Sequence, residues 1–140
     1  MDKAYYRILG VDYGDVRIGL ALSDLTRTIA SPYETYTRTN TSKDLQYLAD
    51  LIKEKQVEVV VFGLPLNMDG SEGVRVEKTK AFAYKLAELA KVKITFNDER
   101  LSSVSAENIL LSADVSRAKR KKVIDKLAAT IILQEYLDAQ

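Results

Sequence analysis

Four acidic residues stand apart from the other carboxylates of the chain by where they fall: Asp12, Asp98 with Glu99, and Asp125. Asp12 ends the apolar run Ile8-Leu9-Gly10-Val11 and is followed by a glycine-containing turn, Arg17 and a second apolar run. A strand leaving the core with an acid at its tip can hold a metal ion. Asp also favours turns, where it hydrogen-bonds nearby backbone, and on this stretch alone the turn reading takes precedence. Asp98 and Glu99 follow the alternating run Val92-Lys93-Ile94-Thr95-Phe96. Ligands of open α/β sheets gather at the carboxyl ends of strands, where both positions fall. Asp125 has Ala128, Ala129, Ile132 and Tyr136 as its helical neighbours, so it lies on an apolar stripe. A buried carboxylate needs a partner or a metal. The alternative is an ion pair one turn away, with Lys121.

The whole chain narrows the chemistry. It has 140 residues with no cysteine and no histidine. That excludes disulfides, thiol catalysis, Ser-His-Asp triads and the usual zinc sites. An enzyme built from this set must use carboxylates, hydroxyls, Lys or Arg, and carboxylates suit a hard cation such as Mg²⁺. With 21 basic and 20 acidic residues, any affinity for a polyanion must come from a local patch. Two such features are present. Arg17 can meet a phosphate beside the acidic site through its planar guanidinium, or pair with Asp15 or Asp24 on the surface. The run Ser116-Arg117-Ala118-Lys119-Arg120-Lys121-Lys122 places cations where a helix should begin, against the macrodipole. A phosphodiester backbone would explain that placement, and a solvated charge run is its plain alternative. The loop from Gly63 to Gly73 matches neither the Walker A nor the dinucleotide pattern, so it reads as a connection.

Tyr5 to Val11, Ile18 to Ser23 and Ile29 to Thr37 read as three strands. The short link Tyr13 to Val16 makes the first two antiparallel neighbours. Pro32 argues that the third is a sheet edge. Thr41 to Gln56 reads as a helix capped by Thr41 or Ser42. Val57 to Phe62 is nearly continuous apolar, as in a parallel strand covered on both faces. A helix carrying Val76, Ala83, Leu86, Ala87 and Ala90 follows. The strand Val92 to Phe96 comes next, then a short helix over Ser103 to Ser112 and a final helix from about Ser116 to Leu137. The expectation is a single α/β domain over residues 1–140, with a mixed five-stranded sheet, three antiparallel strands then two parallel, and helices on its faces. No apolar run is long enough to span a membrane, and the charged N-terminus reads into a strand, so a cytoplasmic protein is expected.

Four motifs occur in one order: Asp12-x-Gly14-x-x-Arg17-x-Gly19; Gly63-x-Pro65-x-Asn67-x-Asp69-Gly70-Ser71; Asp98-Glu99-Arg100-Leu101-Ser102-Ser103; and Asp125-x-x-Ala128-Ala129-x-x-Ile132-Leu133-Gln134-x-Tyr136-Leu137. Together they resemble the YqgF family, also called RuvX, over nearly the whole chain. Ser103 stands where Thr is more usual, and Ile124 where Val often precedes the acid. The resemblance implies a ribonuclease H-like fold and a metal-dependent nuclease. Such proteins were first named Holliday junction resolvases by similarity to RuvC, and later linked to processing the 5′ end of pre-16S rRNA. It carries the acidic site onto Asp12, Glu99 or Asp98, and Asp125, with Glu99 favoured of the adjacent pair. These would hold Mg²⁺ or Mn²⁺, while Arg17, Arg100, Lys119, Arg120, Lys121 and Lys122 position nucleic acid. The implied protein is a monomer or weak homodimer acting on structured RNA such as pre-16S rRNA. The alternatives are a resolvase of branched DNA, and a non-catalytic RNA-binding module.

Overall fold

The computed structural model describes residues 4–65, 73–98 and 117–140, with the side chains of residues 117–122 left aside. The two apolar runs that flank the first turn pair as an antiparallel hairpin, β1 (Arg7–Tyr13) and β2 (Arg17–Ser23), with Asp12 opposite Gly19. The third strand, β3 (Ala30–Thr37), pairs antiparallel with β2 and forms one edge of the sheet. Pro32 therefore sits where a missing N–H is tolerated, beside a register shift between Leu20 and Ala21.

Helix α1 (Thr41–Glu54) leads into β4 (Val57–Leu64), which runs parallel to β1. Helix α2 (Val74–Ala90) leads into β5 (Lys93–Asp98), which runs parallel to β4. The sheet order is β3-β2-β1-β4-β5, the expected mixed five-stranded arrangement. The last element is α3 (Arg117–Asp138). Several boundaries differ from the sequence reading, β1 among them, which starts at Arg7 and runs on to Tyr13. Asn40, not Thr41 or Ser42, caps α1, its side-chain oxygen accepting the N–H of Lys43 at 2.9 Å. Gly63 and Leu64 extend β4, and Asn97 and Asp98 extend β5, because parallel pairing continues past the apolar cores of those runs. The expected helix over Ser103 to Ser112 lies outside the described residues.

Side-chain alternation divides the core in two. Leu9, Val11, Ile18, Leu20, Val60 and Phe62 face α1 and α2, where Leu48, Phe82 and Leu86 complete a large apolar cluster. Ile8, Ala21 and Val61 face α3 and pack against Ala129, Ile132, Leu133 and Leu137. Among the described residues no helix is long and apolar enough to cross a membrane.

Candidate active site

Alternation along β1 decides where Asp12 points. Leu9 and Val11 belong to the α1/α2 cluster, and Ile8 to the α3 cluster. Gly10 lies under α3, where an added Cβ would come within 2.8 Å of the Ala129 carbonyl oxygen and of the Leu133 Cβ. Asp12, two residues on, shares that face. It is half-buried near the carboxyl end of β1, where the parallel strands β4 and β5 also end.

Asp125 reaches the same place from α3. Its helix descends onto the strands through glycine: a Cβ at Gly19 would lie 1.9 Å from the backbone oxygen of Asp125. Only a residue without a side chain admits that approach. Since Gly19 is the cross-strand partner of Asp12, the same contact brings Asp125 over the residue beside Asp12. Ala128, Ala129 and Ile132 are fully buried beneath the helix, so the apolar stripe read from the sequence is the docking face. Small residues at Ala128 and Ala129 let the backbones close up.

Arg17 opens β2 on that face, as the alternation Arg17, Gly19, Ala21 requires. Its Nε donates to Asp125 Oδ2 at 2.7 Å, with the two side chains 30% and 20% exposed. The partners suggested for Arg17 by sequence are engaged elsewhere. Asp15 lies 3.7 Å from Lys78 Nζ. Asp24 closes the β2–β3 turn, accepting the N–H groups of Thr28 at 2.7 Å and Ile29 at 3.0 Å and the hydroxyl of Thr26. Those hydrogen bonds, Thr26 first, hold the Asp24 carboxyl far below the usual range.

The other predicted positions are less closely drawn in. Asp98 is exposed at the end of β5, and alternation puts it on the side of Ile94 and Phe96, away from α3. Asn97 takes the α3 side, donating to the carbonyl of Ile132 at 3.4 Å and to Glu135 Oε2 at 3.0 Å. Glu99 and Arg100 lie outside the described residues. Lys119, Arg120, Lys121 and Lys122 fall in the opening turns of α3, upstream of Asp125, and their side chains lie outside the described residues too. No group of three His, Cys, Asp or Glu side chains that could hold a metal ion assembles among the described residues.

Two features escaped the sequence reading. Gln134 ties α3 to the sheet edge: its Oε1 accepts the Ala30 N–H at 2.8 Å and its Nε2 donates to the Thr28 carbonyl at 3.1 Å. On the opposite face, fully buried Asp44 accepts from Arg38 Nε at 2.8 Å, the Tyr36 hydroxyl at 2.9 Å and the Thr39 N–H at 3.0 Å. Burial pushes the Asp44 carboxyl up, and these hydrogen bonds outweigh it and hold the group below its ordinary value. The signal available was an acid in the first turn of α1 next to Leu45 and Leu48, which reads equally well as helix-dipole complementation.

Residues 6–139 match the family model of RuvX, described as Holliday junction resolvase. The chain belongs to the RuvX family. A RuvX relative from Caldanaerobacter subterraneus subsp. tengcongensis is 50% identical over 135 residues, covering 96% of this chain and 97% of its own. Another from Clostridioides difficile is 52% identical over 132 residues, covering 94% of each. Both carry the name "Putative pre-16S rRNA nuclease". Among solved structures, Thermus thermophilus RuvC in complex with a Holliday junction substrate superposes with a TM-score of 0.63 at 14% identity, over 96% of this chain and 95% of that one. Fowlpox virus resolvase in complex with junction DNA gives 0.60 at 13% identity, over 95% and 97%. At such identities the likeness concerns the fold, which is the ribonuclease H-like fold of these resolvases, as the sequence resemblance implies.

Proposed function

We propose that this RuvX protein is a divalent-metal-dependent nuclease of the cytoplasm that hydrolyses phosphodiester bonds in pre-16S rRNA. The observation that carries the reading is the seating of Asp125 over Gly19, across the strand pair from Asp12. Two carboxylates from elements more than a hundred residues apart in sequence share one face at one rim. Their oxygen donors, in a chain without His or Cys, match a hard cation. The named activity of relatives about half identical over nearly their whole length supplies the substrate class.

Asp12, Asp125 and Glu99 are the residues that would hold Mg²⁺ or Mn²⁺, with Glu99 preferred because Asp98 takes the face away from α3. A bound ion of this kind activates water and stabilises the leaving oxygen of an in-line displacement. The chain's own groups prepare the ground. Arg17 neutralises Asp125 and keeps it seated at the rim, a demand that a half-buried carboxylate makes of its surroundings. Arg17 also supplies a cation where a phosphate would arrive. Arg100 and the basic start of α3, Lys119 to Lys122, hold the backbone of the polyanion.

The test is cleavage of a pre-16S rRNA fragment with Mn²⁺, run beside junction DNA at one stated salt concentration. Asp12→Asn and Asp125→Asn should each reduce cleavage by more than about a hundredfold, beyond the range of outer-shell partners, and Glu99→Gln should match them while Asp98→Asn does not. Full activity in Asp12→Asn or Asp125→Asn would refute the assignment. Junction DNA cut faster than RNA would move the substrate to branched DNA.

A further inference from the structure

The turn Tyr13 to Val16 separates Asp12 from Arg17, so its shape sets how the acid of β1 and the partner of Asp125 face each other. Besides the exposed pairing of Lys78 with Asp15, Arg38 holds that turn from the opposite face of the sheet. Arg38 Nη1 donates to the Tyr13 hydroxyl at 2.7 Å and to the Gly14 carbonyl at 3.1 Å. The Arg38 backbone N–H donates to the Val16 carbonyl at 2.9 Å. Its guanidinium carbon lies 4.7 Å from the centroid of the Tyr13 ring and 5.7 Å from that of Phe82, and the Tyr13 and Phe82 centroids are themselves 4.6 Å apart. The guanidinium is anchored in turn by Asp44, which is completely buried, through Nε at 2.8 Å. Every residue of this set is either in the turn, in the loop that ends β3, or in the packed face of α1 and α2.

We propose that Arg38, fixed by Asp44, is a positioning residue for the acidic site: it clamps the turn Tyr13 to Val16 and thereby fixes Asp12 and Arg17 relative to each other. The inference rests on the nuclease reading above for what is positioned, though the clamp itself can be tested without it. A planar fork is required, because one group must reach a carboxylate, a hydroxyl and a carbonyl while lying against two rings. Lysine keeps the charge and cannot make these contacts together. Stability alone does not account for spending a buried ion pair on a turn, since replacing such pairs with apolar groups is often neutral or favourable.

The experiment compares wild type, Arg38→Lys and Tyr13→Phe. Free Mn²⁺ is followed by electron paramagnetic resonance during titration, amide exchange is read at Gly14 to Arg17, and folding is checked by circular dichroism. Arg38→Lys should weaken Mn²⁺ binding by about tenfold, the loss usual for an outer-shell partner, and speed exchange in the turn. Tyr13→Phe, which keeps the ring and loses one acceptor, should show a smaller loss of the same kind. In cleavage assays Arg38→Lys should raise the Mn²⁺ needed for half-maximal rate and leave KM for RNA unchanged. A folded Arg38→Lys protein with wild-type exchange in the turn overturns the clamp. One with faster exchange but wild-type Mn²⁺ affinity makes Arg38 a scaffold residue and overturns its role toward the site. Wild type that takes up no Mn²⁺ defeats the metal reading instead, and the exchange arm still decides the clamp.

Discussion

The two faces of the sheet solve different problems. Toward α1 and α2, large side chains keep the layers apart: Phe62, Phe82, Leu48 and Leu86 interdigitate, and the buried carboxylate of Asp44 is matched by Tyr36 and Arg38. Toward α3, a smaller apolar cluster leaves side chains out where the helix comes closest. Gly10 and Gly19 in the strands and Ala128 and Ala129 in the helix let backbone meet backbone, and what that closeness delivers is the seating of Asp125 over Gly19, the cross-strand neighbour of Asp12. One face is built chiefly for burial and the other for approach. The apolar face tolerates loss of a methylene at a cost in stability. The close face tolerates no gain of one without moving a functional group.

Substitutions that exchange these features should separate the two faces. The largest effect is expected at Gly19→Ala, whose new methyl would meet the Asp125 carbonyl oxygen. The helix must lift, so both stability and cleavage should fall, the former by more than about 3 kcal/mol, the upper end of overpacking costs. Urea denaturation and an rRNA cleavage assay read the two losses, and a stable, active Gly19→Ala protein would show that neither depends on the close approach of α3 to Gly19. Next, Leu48→Ala on the other face should destabilise by about 3 kcal/mol through the cavity it leaves, with the cleavage rate per folded molecule unchanged. A smaller effect belongs to Asp44, whose folded carboxyl titrates below its ordinary value. A depressed carboxylate adds stability above its unfolded pKa of about 3.9 and loses that addition as pH falls through the folded value. Asp44→Asn should therefore cost about 2 kcal/mol at pH 7, and that cost should shrink progressively as pH falls below about 3.9, read by urea denaturation across pH. The smallest is Gln134→Ala, expected to cost roughly 1 kcal/mol by freeing α3 from β3 without loss of activity.

Much of this division can be read from the chain. The period-two and helical runs give the element order, Pro32 marks the edge strand, and the nearly continuous apolar run of β4 marks its place between parallel neighbours. The stripe below Asp125 identifies the helix face that docks. What is hidden is pairing across long separations. Arg17 and Asp125 are 108 residues apart, so local logic offers Asp15, Asp24 and Lys121 as partners before it offers each to the other. Arg38 and Asp44 are close in sequence, but their purpose depends on a turn brought up from residues 13 and 14. Glycine in a strand signals close approach in general; which helix approaches is decided only by the folded layers.

On the proposed function, Asp12 and Asp125 serve one cation. A crystal structure of the wild-type protein grown with Mn²⁺, phased on its anomalous signal, tests it most directly. A manganese peak bonded to carboxylate oxygens of both residues, with Arg17 close by, is expected. Manganese bound only elsewhere on the surface, with Asp12 and Asp125 bearing none, would contradict it.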